Sequence, residues 1–216
     1  MKYKLAVFDL DGTILDTLSD LADSVNAICK KYNYPEHTKE EIKWMVGNGI
    51  PKLIQRALPQ DVPEPQYKII LADFISYYQE HSSIKTKPYD GIEDLLKMLR
   101  SKGIKTAVNS NKAHEASVLL CQKYFPGLFD IVCGFKEGFE PKPAPDGLKE
   151  ILAATNSTPE NSVYIGDSDV DYLTGTNAGL DFIGVEWGFR GAEFLKEHGA
   201  KKIASSAKEL AAMLNS

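Results

Sequence analysis

A short apolar run near the start of the chain ends directly in two aspartates, and this stretch constrains the fold most. Residues 5–8, Leu-Ala-Val-Phe, are followed by Asp9 and Asp11 with one leucine between them, and then by glycine and threonine. An apolar run that is rich in β-formers and bounded by glycine is typical of a buried strand. In an extended backbone, Asp9 and Asp11 would point to the same side. Two carboxylates held so close repel each other, so the chain must supply a cation or a proton nearby.

The composition is that of a globular protein and argues against several partners. Of 216 residues, 43% are apolar and 25% are charged, and the formal net charge is −5. Because no long run of lysine and arginine occurs, we expect no nucleic-acid partner. No apolar stretch approaches the roughly 20 residues that span a bilayer, and the N-terminus has no signal-peptide pattern, so we predict a cytoplasmic protein without a membrane partner. The three cysteines, Cys29, Cys121 and Cys133, are predicted to be buried free thiols.

Between about residues 17 and 83 the chain has the periodicity of helices and contains no convincing strand. Apolar residues at helical spacing predict helices over about 18–32, 50–58 and 67–80. Thr38 and Glu41 have the spacing of a capping box and predict the start of a further helix. We therefore predict that residues 17–83 form a helical insertion.

After a turn signal at residues 88–91, strand and helix patterns alternate. Apolar runs predict strands at about 104–108, 129–133, 162–165 and 181–185. Helical patterns predict helices at about 92–101, 113–124, 146–154, 169–178, 193–198 and 207–214. This alternation implies right-handed crossovers and a parallel sheet covered on both faces. We predict a Rossmann-like α/β core formed by residues 1–16 and 84–216, with the helical segment 17–83 inserted after the first strand.

Polar clusters follow three of the predicted strands, at the points where open α/β sheets bind ligands. The clusters are Asp9 with Asp11, Ser110-Asn111-Lys112, and Asp167 with Asp171. The last two aspartates are four residues apart, so they share a face if a helix begins there. Lys142 lies between two prolines, in the loop before the helix that leads to the strand at 162–165.

Each of these features has an ordinary structural explanation when it is taken alone. Aspartate and glycine favour turns, a serine after a strand can cap the next helix, a lysine among prolines is usually solvated, and acids favour the first turn of a helix. Together they would create a strongly negative site with only one or two lysines and four aspartates: Asp9, Asp11, Asp167 and Asp171. A divalent cation resolves this excess of charge, and carboxylate oxygens select a hard ion such as Mg²⁺.

The chain resembles the haloacid dehalogenase-like hydrolase superfamily, and within it the phosphoglycolate phosphatase-type enzymes. The resemblance covers essentially the whole chain. Its motifs are the run at residues 9–13, Ser110-Asn111, Lys142 between two prolines, and Gly166-Asp167 with Asp171. Four motifs in this order make a purely structural explanation remote. The resemblance implies a Mg²⁺-dependent phosphatase that hydrolyses a small phosphorylated metabolite.

The resemblance also implies roles for the acidic residues. Asp9 would attack phosphorus and form an aspartyl-phosphate, and Asp11 would protonate the leaving oxygen and then deprotonate the attacking water. Mg²⁺ would be held by Asp9, the backbone carbonyl of Asp11 and Asp167. Asp171 would orient either Lys142 or a metal-bound water, and the sequence leaves this choice open.

Further groups would bind the phosphate in the site that the resemblance implies. Lys142 would add its positive charge to that of the metal ion. Ser110 and the backbone N–H groups of Asn111 and Gly12 would bind phosphate oxygens. Thr13 would shape the loop that follows the first strand.

In enzymes of this family, a helical insertion such as residues 17–83 would be a cap that closes over the site, excludes water and sets specificity. Within it, residues 46–58 resemble the glycine-containing loop and following helix of phosphoglycolate phosphatases. Gly49 would let the backbone approach a small ligand. Lys52 or Arg56 would contact a second anionic group, such as a substrate carboxylate. A plain turn with solvent-facing basic residues is the alternative, and the sequence does not decide between them.

Three other functions remain open on the sequence alone. A phosphomutase of the β-phosphoglucomutase kind uses the same core but returns the phosphoryl group to its substrate. A phospho-signalling receiver also uses Asp, Ser or Thr, Lys and Mg²⁺, but it needs neither the insertion nor a second acid such as Asp11. A catalytically inactive binding module has no need of the intact motifs. The chain is expected to be a monomer or a homodimer.

Overall fold

The computed structural model describes residues 2–215, and the chain divides into two compact units. The first unit comprises Met1–Leu15 and Pro88–Ser216, and the second comprises Asp16–Lys87. The first contains a six-stranded sheet with helices, and the second is built from helices. The role of the helical unit as a cap domain, with predicted bounds 17–83, stays a prediction.

The secondary-structure elements are numbered along the chain. The strands are β1 Leu5–Phe8, β2 Leu15–Asp16, β3 Lys87–Pro88, β4 Lys105–Ala113, β5 Ile131–Phe135, β6 Ser162–Gly166, β7 Asp181–Val185 and β8 Ile203–Ala204. The helices are α1 Leu18–Lys31, α2 Lys39–Met45, α3 Ile50–Ala57, α4 Glu64–His81, α5 Ile92–Ser101, α6 His114–Tyr124, α7 Asp146–Thr155, α8 Asp169–Asn177, α9 Gly191–Glu197 and α10 Ala207–Asn215. Within residues 2–215, no helix has the length and apolar content needed to cross a bilayer.

β1 lies inside the six-stranded sheet, whose strand order is β5-β4-β1-β6-β7-β8. Neighbouring strands run parallel, and Phe8 at the end of β1 is in register with Val108 of β4 and Ile165 of β6. Because parallel strands end at the same edge of a sheet, the residues that follow these three positions are brought together. The predicted parallel α/β sheet is confirmed.

Alternate residues of β1 enter two apolar cores, one on each face of the sheet. Ala6 and Phe8 belong to a core that includes residues of α5 and α10, whereas Leu5 and Val7 belong to a core that includes residues of α7. All four side chains are fully buried. Helices therefore cover both faces of the sheet, as the alternation of strand and helix patterns predicts.

Three strands of the sheet differ from the sequence-based expectation. β4 was predicted at about 104–108 but extends over Lys105–Ala113, because its pairing with β5 resumes at Ala113 after a register shift, so Ser110, Asn111 and Lys112 lie on the strand and not after it. The strand predicted at 129–133 lies at Ile131–Phe135, because Phe129 packs edge-on against the rings of Phe8 and Phe125 before the strand begins. β8 was not predicted, since two residues are too few to show an alternating pattern.

One helix of the helical unit begins where its capping signal predicts, and another begins earlier than its apolar pattern predicts. Thr38 Oγ1 accepts a hydrogen bond from the backbone N–H of Glu41 at 3.2 Å, and the Glu41 carboxylate accepts from the Thr38 N–H at 2.7 Å. This confirms the predicted capping box at the start of α2. α4 begins at Glu64 and not near Tyr67, because a proline is accommodated in the first turn of a helix.

The three cysteines are free and buried, as predicted. Burial raises the pKa of the Cys121 thiol to about 12 and that of the Cys133 thiol to about 11. Both thiols therefore stay protonated at neutral pH, which makes them poor nucleophiles.

A buried carboxylate ties the first helix of the helical unit to the last segment of that unit. Asp20, on α1, is 2% exposed. It accepts hydrogen bonds from the backbone N–H groups of Ile84 at 3.1 Å, Lys85 at 2.9 Å and Thr86 at 2.8 Å, and from the Thr86 hydroxyl at 2.7 Å. One side chain thus satisfies three consecutive backbone donors just before β3.

Replacing Asp20 by alanine is expected to lower the free energy of unfolding by about 3 kcal/mol, because the N–H and hydroxyl groups of the buried Thr86 would lose this acceptor, and buried donors without an acceptor cost about 1–3 kcal/mol each. Urea unfolding followed by circular dichroism measures this loss. Asp23→Ala is the matched control, since Asp23 lies on the same helix and its carboxylate forms an ion pair with an exposed lysine at the surface. Equal unfolding midpoints for the two variants would contradict the role assigned to Asp20.

Candidate active site

Asp9 directly follows β1 and lies buried at the carboxyl edge of the sheet. Its backbone N–H donates to the Ile165 carbonyl of β6 at 2.8 Å, so the sheet pairing continues one residue past the strand. Its side-chain Oδ1 lies 2.6 Å from Lys142 Nζ. The sheet therefore holds the backbone of Asp9, and an ion pair holds its carboxylate.

Three buried carboxylates meet beside this ion pair. One oxygen from each of Asp9, Asp167 and Asp171 lies within 4.8 Å of the other two. Burial, with a further contribution from the charge of Asp171, raises the pKa of Asp167 to about 7. Burial and then the charge of Asp171 also raise the pKa of Asp9 well above its usual range, although Lys142 opposes the shift. The cluster therefore favours the uptake of protons or of a cation.

Lys142 reaches the cluster from the loop between β5 and α7, and its Nζ also lies 2.7 Å from Asp171 Oδ1. Burial lowers the pKa of an ammonium group, but the carboxylates of Asp171 and Asp9 outweigh burial and raise the pKa of Lys142. The lysine therefore stays charged. Asn111 fixes its backbone, because Asn111 Oδ1 accepts from the Lys142 N–H at 2.7 Å and Asn111 Nδ2 donates to the Lys142 carbonyl at 3.3 Å. The Lys142–Pro143 peptide bond is cis.

Asp171 is held by hydrogen bonds to both of its carboxylate oxygens. Oδ1 accepts from Lys142 Nζ and, at 3.1 Å, from the Tyr164 hydroxyl. Oδ2 accepts from the backbone N–H of Ser168 at 3.2 Å and from its hydroxyl at 2.6 Å. Ser168 is also the N-cap of α8 and forms a capping box with Asp171. Of the two roles that the sequence leaves open for Asp171, this geometry favours orienting Lys142.

Asp11 lies apart from the cluster of three carboxylates. The chain bends at Leu10, so the extended backbone that would align Asp9 and Asp11 ends at Asp9. Asp11 Oδ1 lies 3.2 Å from Lys112 Nζ, and the two side chains are only 16% and 5% exposed. The two aspartates therefore have different lysine partners, which allows their carboxyl groups different chemical roles.

Ser110 lies at the same edge of the sheet, on β4, and is 5% exposed. Its Oγ accepts a hydrogen bond from the backbone N–H of Lys112 at 3.2 Å. The pairing of β4 with β5 shifts register between Asn109 and Ala113, which is the stretch that carries Ser110 and Lys112. The end of β4 thus brings a hydroxyl and a second lysine to the edge that carries Asp9.

Comparison with known proteins assigns this site to a family. The family model of the haloacid dehalogenase-like hydrolases matches residues 6–185, which include every edge residue from Asp9 to Asp171. The chain belongs to the haloacid dehalogenase-like hydrolases.

Several relatives match this hydrolase over most of its length. The phosphoglycolate phosphatase of Aquifex aeolicus is 31% identical over 187 residues, which is 86% of each chain. That of Colwellia psychrerythraea is 30% identical over 214 residues, 96% of this chain and 95% of the relative. A solved structure of a candidate phosphoglycolate phosphatase from Lactobacillus delbrueckii subsp. bulgaricus has a TM-score of 0.95 and 39% identity, and the match covers 99% of each chain. The predicted family and the predicted enzyme class, a phosphatase-type hydrolase, are confirmed.

In this haloacid dehalogenase-like hydrolase, two loops pack closely around Asp167, and the sequence motifs include only one of them. The Phe189 N–H donates to Asp167 Oδ2 at 2.7 Å, and the Thr13 hydroxyl donates to Oδ1 at 3.3 Å. A Cβ at Gly12 would lie 2.5 Å from Asp167 Oδ2, and one at Gly188 would lie 2.2 Å from Asp167 Cβ. Both positions therefore require glycine. Gly188 and Phe189 follow the end of β7, so the rule that ligands bind beyond strand ends would have found them.

Two buried polar side chains of the site had no predicted role. Tyr164 was predicted only as part of a strand, yet its hydroxyl lies 3.1 Å from Lys142 Nζ. Lys112 was noted beside Ser110 without a function. Trp187, which also follows β7, packs against the apolar core, and its ring lies 6.4 Å from that of Tyr89.

The three predicted substrate-contacting residues of the insertion lie within the helical unit. Gly49 is the N-cap of α3 and has a φ of 82°. Lys52 donates to a glutamine one turn further along the same helix, at 2.9 Å. The Arg56 guanidinium donates to the Met45 carbonyl and to Asn48 Oδ1, each at 2.7 Å, and so stabilises the loop before α3. Substrate contact by these residues stays a prediction.

The donor set of the core fits a hard divalent cation. Within the described residues, the cluster of potential ligands consists of three aspartates and contains neither histidine nor cysteine. Carboxylate oxygens are the ligands that Mg²⁺ prefers, whereas softer metals select nitrogen or sulfur. With Lys142 as the cation that contacts both Asp9 and Asp171, the group retains an excess of negative charge that such an ion would offset.

Proposed function

We propose that this hydrolase is a Mg²⁺-dependent phosphomonoesterase that acts on a small phosphorylated metabolite through an aspartyl-phosphate on Asp9. The observation that carries the proposal is the buried group of Asp9, Asp167 and Asp171 around the Lys142 ammonium. A structural ion pair has no need of three carboxylates, whereas phosphoryl transfer from a dianionic ester needs a nucleophile surrounded by positive charge.

The proposed ligands of Mg²⁺ are Asp9, Asp167 and the backbone carbonyl of Asp11, with Asp171 beside them. When bound, the ion supplies positive charge against the phosphoryl oxygens. Asp171 is already engaged by Lys142 and Ser168, so we assign it the role of orienting Lys142.

In the first step, a carboxylate oxygen of Asp9 attacks phosphorus, and the bond from phosphorus to the leaving oxygen breaks. Asp11 gives its proton to that oxygen, so the alcohol leaves neutral. Acid catalysis of this kind is typically worth about 10²–10⁴ in rate. Asp9 and Asp11 lie beside different lysines, which leaves each carboxyl group available for a separate part of the reaction.

In the second step, water attacks the phosphorus of the aspartyl-phosphate and transfers a proton to Asp11. The bond from phosphorus to the Asp9 oxygen breaks, which releases inorganic phosphate and restores both carboxyl groups. Dividing one difficult hydrolysis into two displacements lowers the barrier of each.

Lys142 and Ser110 would stabilise the phosphoryl group during both steps. A carboxylate that approaches a phosphate dianion meets two unit repulsions of about 4 kcal/mol each at 4 Å and an effective dielectric constant of 20. The Lys142 ammonium, 2.6 Å from Asp9, offsets part of this repulsion. The Ser110 hydroxyl and the backbone N–H groups of Asn111 and Gly12 would donate hydrogen bonds to the phosphoryl oxygens.

The first substrate to test is 2-phosphoglycolate, because the named relatives are phosphoglycolate phosphatases. We expect the purified protein to release phosphate from it in the presence of Mg²⁺. Removal of the metal with EDTA should lower kcat/KM at least about 100-fold, and added Mg²⁺ should restore it. The measurement is phosphate release from a panel of phosphorylated metabolites and from p-nitrophenyl phosphate.

Two results would contradict the proposal. The first is the absence of phosphate release from every ester despite excess Mg²⁺, and the second is a rate that EDTA leaves unchanged. A reaction that needs a sugar bisphosphate activator and yields an isomer without phosphate would instead favour the phosphomutase alternative.

A further inference from the structure

A fully buried tyrosine lies next to the proposed site and has no part in the two displacement steps. Tyr164 is the middle residue of β6, and its ring belongs to the apolar core that includes residues of α7. The ring packs against that of Phe182 at a centroid distance of 6.4 Å, a contact that needs no hydroxyl group. Burying a hydroxyl is costly unless it forms hydrogen bonds, so its partners show what the tyrosine does there.

The Tyr164 hydroxyl reaches across β1 to the edge of the sheet that carries the site. Tyr164 is in register with Val7 of β1, yet its hydroxyl lies 3.1 Å from the Asn109 carbonyl of β4, on the other side of β1. The same oxygen lies 3.1 Å from Asp171 Oδ1 and 3.1 Å from Lys142 Nζ. A phenol both donates and accepts, so this hydroxyl donates to an oxygen and accepts from the ammonium group.

The Lys142 ammonium has three hydrogens to donate, and three oxygens lie close enough to accept them. They are Asp9 Oδ1 at 2.6 Å, Asp171 Oδ1 at 2.7 Å and the Tyr164 hydroxyl at 3.1 Å. The Asn109 carbonyl is further away, at 3.4 Å. A lysine side chain is long and flexible, so each contact removes part of the freedom of its ammonium group. Tyr164 supplies the third of these contacts.

The contact of Lys142 with Asp9 changes during the proposed reaction. When Asp9 attacks phosphorus, its carboxylate becomes part of an acyl phosphate and loses its negative charge, which weakens its attraction for the ammonium group. The Tyr164 hydroxyl forms and breaks no covalent bond in either step. It is therefore suited to hold Lys142 while Asp9 carries the phosphoryl group.

We infer that Tyr164 is a positioning residue that holds the Lys142 ammonium in place for both displacement steps. The inference rests on the proposed function, since it takes Lys142 to stabilise the phosphoryl group. Tyr164 acts through Lys142 and needs no contact with the reacting atoms. This role accounts for a hydroxyl group at a strand position where an aromatic ring alone would fill the core.

The first test compares Tyr164→Phe with Tyr3→Phe, a matched control. Tyr3 is also buried, but its hydroxyl donates to Asp181 Oδ2 at 2.6 Å, where β7 begins, which is the opposite edge of the sheet. Tyr164→Phe should lower kcat for 2-phosphoglycolate and p-nitrophenyl phosphate about 10- to 50-fold and leave KM within about threefold, because a hydrogen bond to a charged group is lost. Tyr3→Phe should keep the wild-type kcat. An equal loss in both variants, no loss, or a Tyr164→Phe protein that circular dichroism shows to be unfolded would overturn the inference.

A second test needs no turnover. In protein whose lysines are isotope-labelled at Nζ, the NMR spectrum should contain a slowly exchanging ammonium signal that Lys142→Arg removes and that therefore belongs to Lys142. This signal should broaden or vanish in Tyr164→Phe and persist in Tyr3→Phe. Its absence from the wild-type spectrum, or an unchanged signal in Tyr164→Phe, would overturn the inference. A protein that gives the expected spectra but releases phosphate from no ester would overturn the proposed function and leave the placement of Lys142 by Tyr164 intact.

Discussion

Replacing Asp9 by asparagine should abolish turnover, with a loss in kcat of at least about 10⁴-fold, which is on the order of losses seen when a nucleophile is removed. The amide has no charge and cannot form the acyl phosphate. The fold should be kept, because the amide fills nearly the same volume and the Asp9 backbone bond to β6 is unaffected. Phosphate release under excess Mg²⁺ measures the rate, and circular dichroism measures the fold.

A second measurement identifies the nucleophile directly. Wild-type protein quenched in acid during turnover should carry one phosphoryl group, and mass spectrometry should locate it on the peptide that contains Asp9. Asp94→Asn, at an exposed acid of α5, is the matched control and should keep both activity and phosphorylation. Turnover in Asp9→Asn within tenfold of wild type would exclude the nucleophile assignment.

Replacing Lys142 by methionine should lower both activity and stability. The loss in kcat should reach at least about 10³-fold, because the ammonium that offsets charge at the phosphoryl group is removed. The free energy of unfolding should fall by about 3–5 kcal/mol near neutral pH, the usual cost of leaving buried charges without their partner. Asp9 and Asp171 would be those charges, since both lie within 2.7 Å of Lys142 Nζ.

The pH and metal dependence of this variant supply the check. Burial already raises the pKa of Asp9 and Lys142 opposes that shift, so without Lys142 the Asp9 carboxyl would take up a proton in the folded state, and the folded protein would bind more protons than the unfolded chain. Stability should then fall as pH rises, and the deficit should be larger at pH 8 than at pH 5.5. Added Mg²⁺ should recover part of the stability. Urea unfolding with Lys149→Met as the control measures these effects, and wild-type stability in Lys142→Met at pH 8 would contradict the assignment.

The sequence predicts those residues of the site whose position follows from the end of an apolar run. Asp9, Ser110 and Asp167 follow apolar runs, and parallel pairing of β1 with β4 and β6 must bring such residues to one edge. Lys142 was predicted to supply positive charge at the phosphoryl group only because the family resemblance implies that role. For Asp9, Ser110 and Asp167 the sequence pattern is enough to predict that they lie close together, because parallel strands in register end at the same edge of the sheet.

The parts that the sequence does not predict depend on contacts between distant segments. The pairing of Lys112 with Asp11 depends on a register shift in β4 and on a bend at Leu10, and neither has a local signal. The need for glycine at position 188 arises because Asp167 and the backbone carbonyl of Gly12 pack against it. The side chain of Asn111 holds the Lys142 backbone, whereas the sequence predicted only its N–H as a phosphate donor. These contacts join segments that are distant in the sequence, so only the folded structure shows them.

The chain order of the core has a consequence for how such a protein can diversify. The contacts described for the site residues join them to other residues of the first unit, whose sequence is interrupted once, by Asp16–Lys87. The site residues are Asp9, Asp11, Ser110, Lys142, Asp167 and Asp171. Insertions, deletions and substitutions within that interruption therefore leave the geometry of these six residues untouched. Evolution can vary the inserted segment in descendants of one ancestor while the inherited chemistry stays constant.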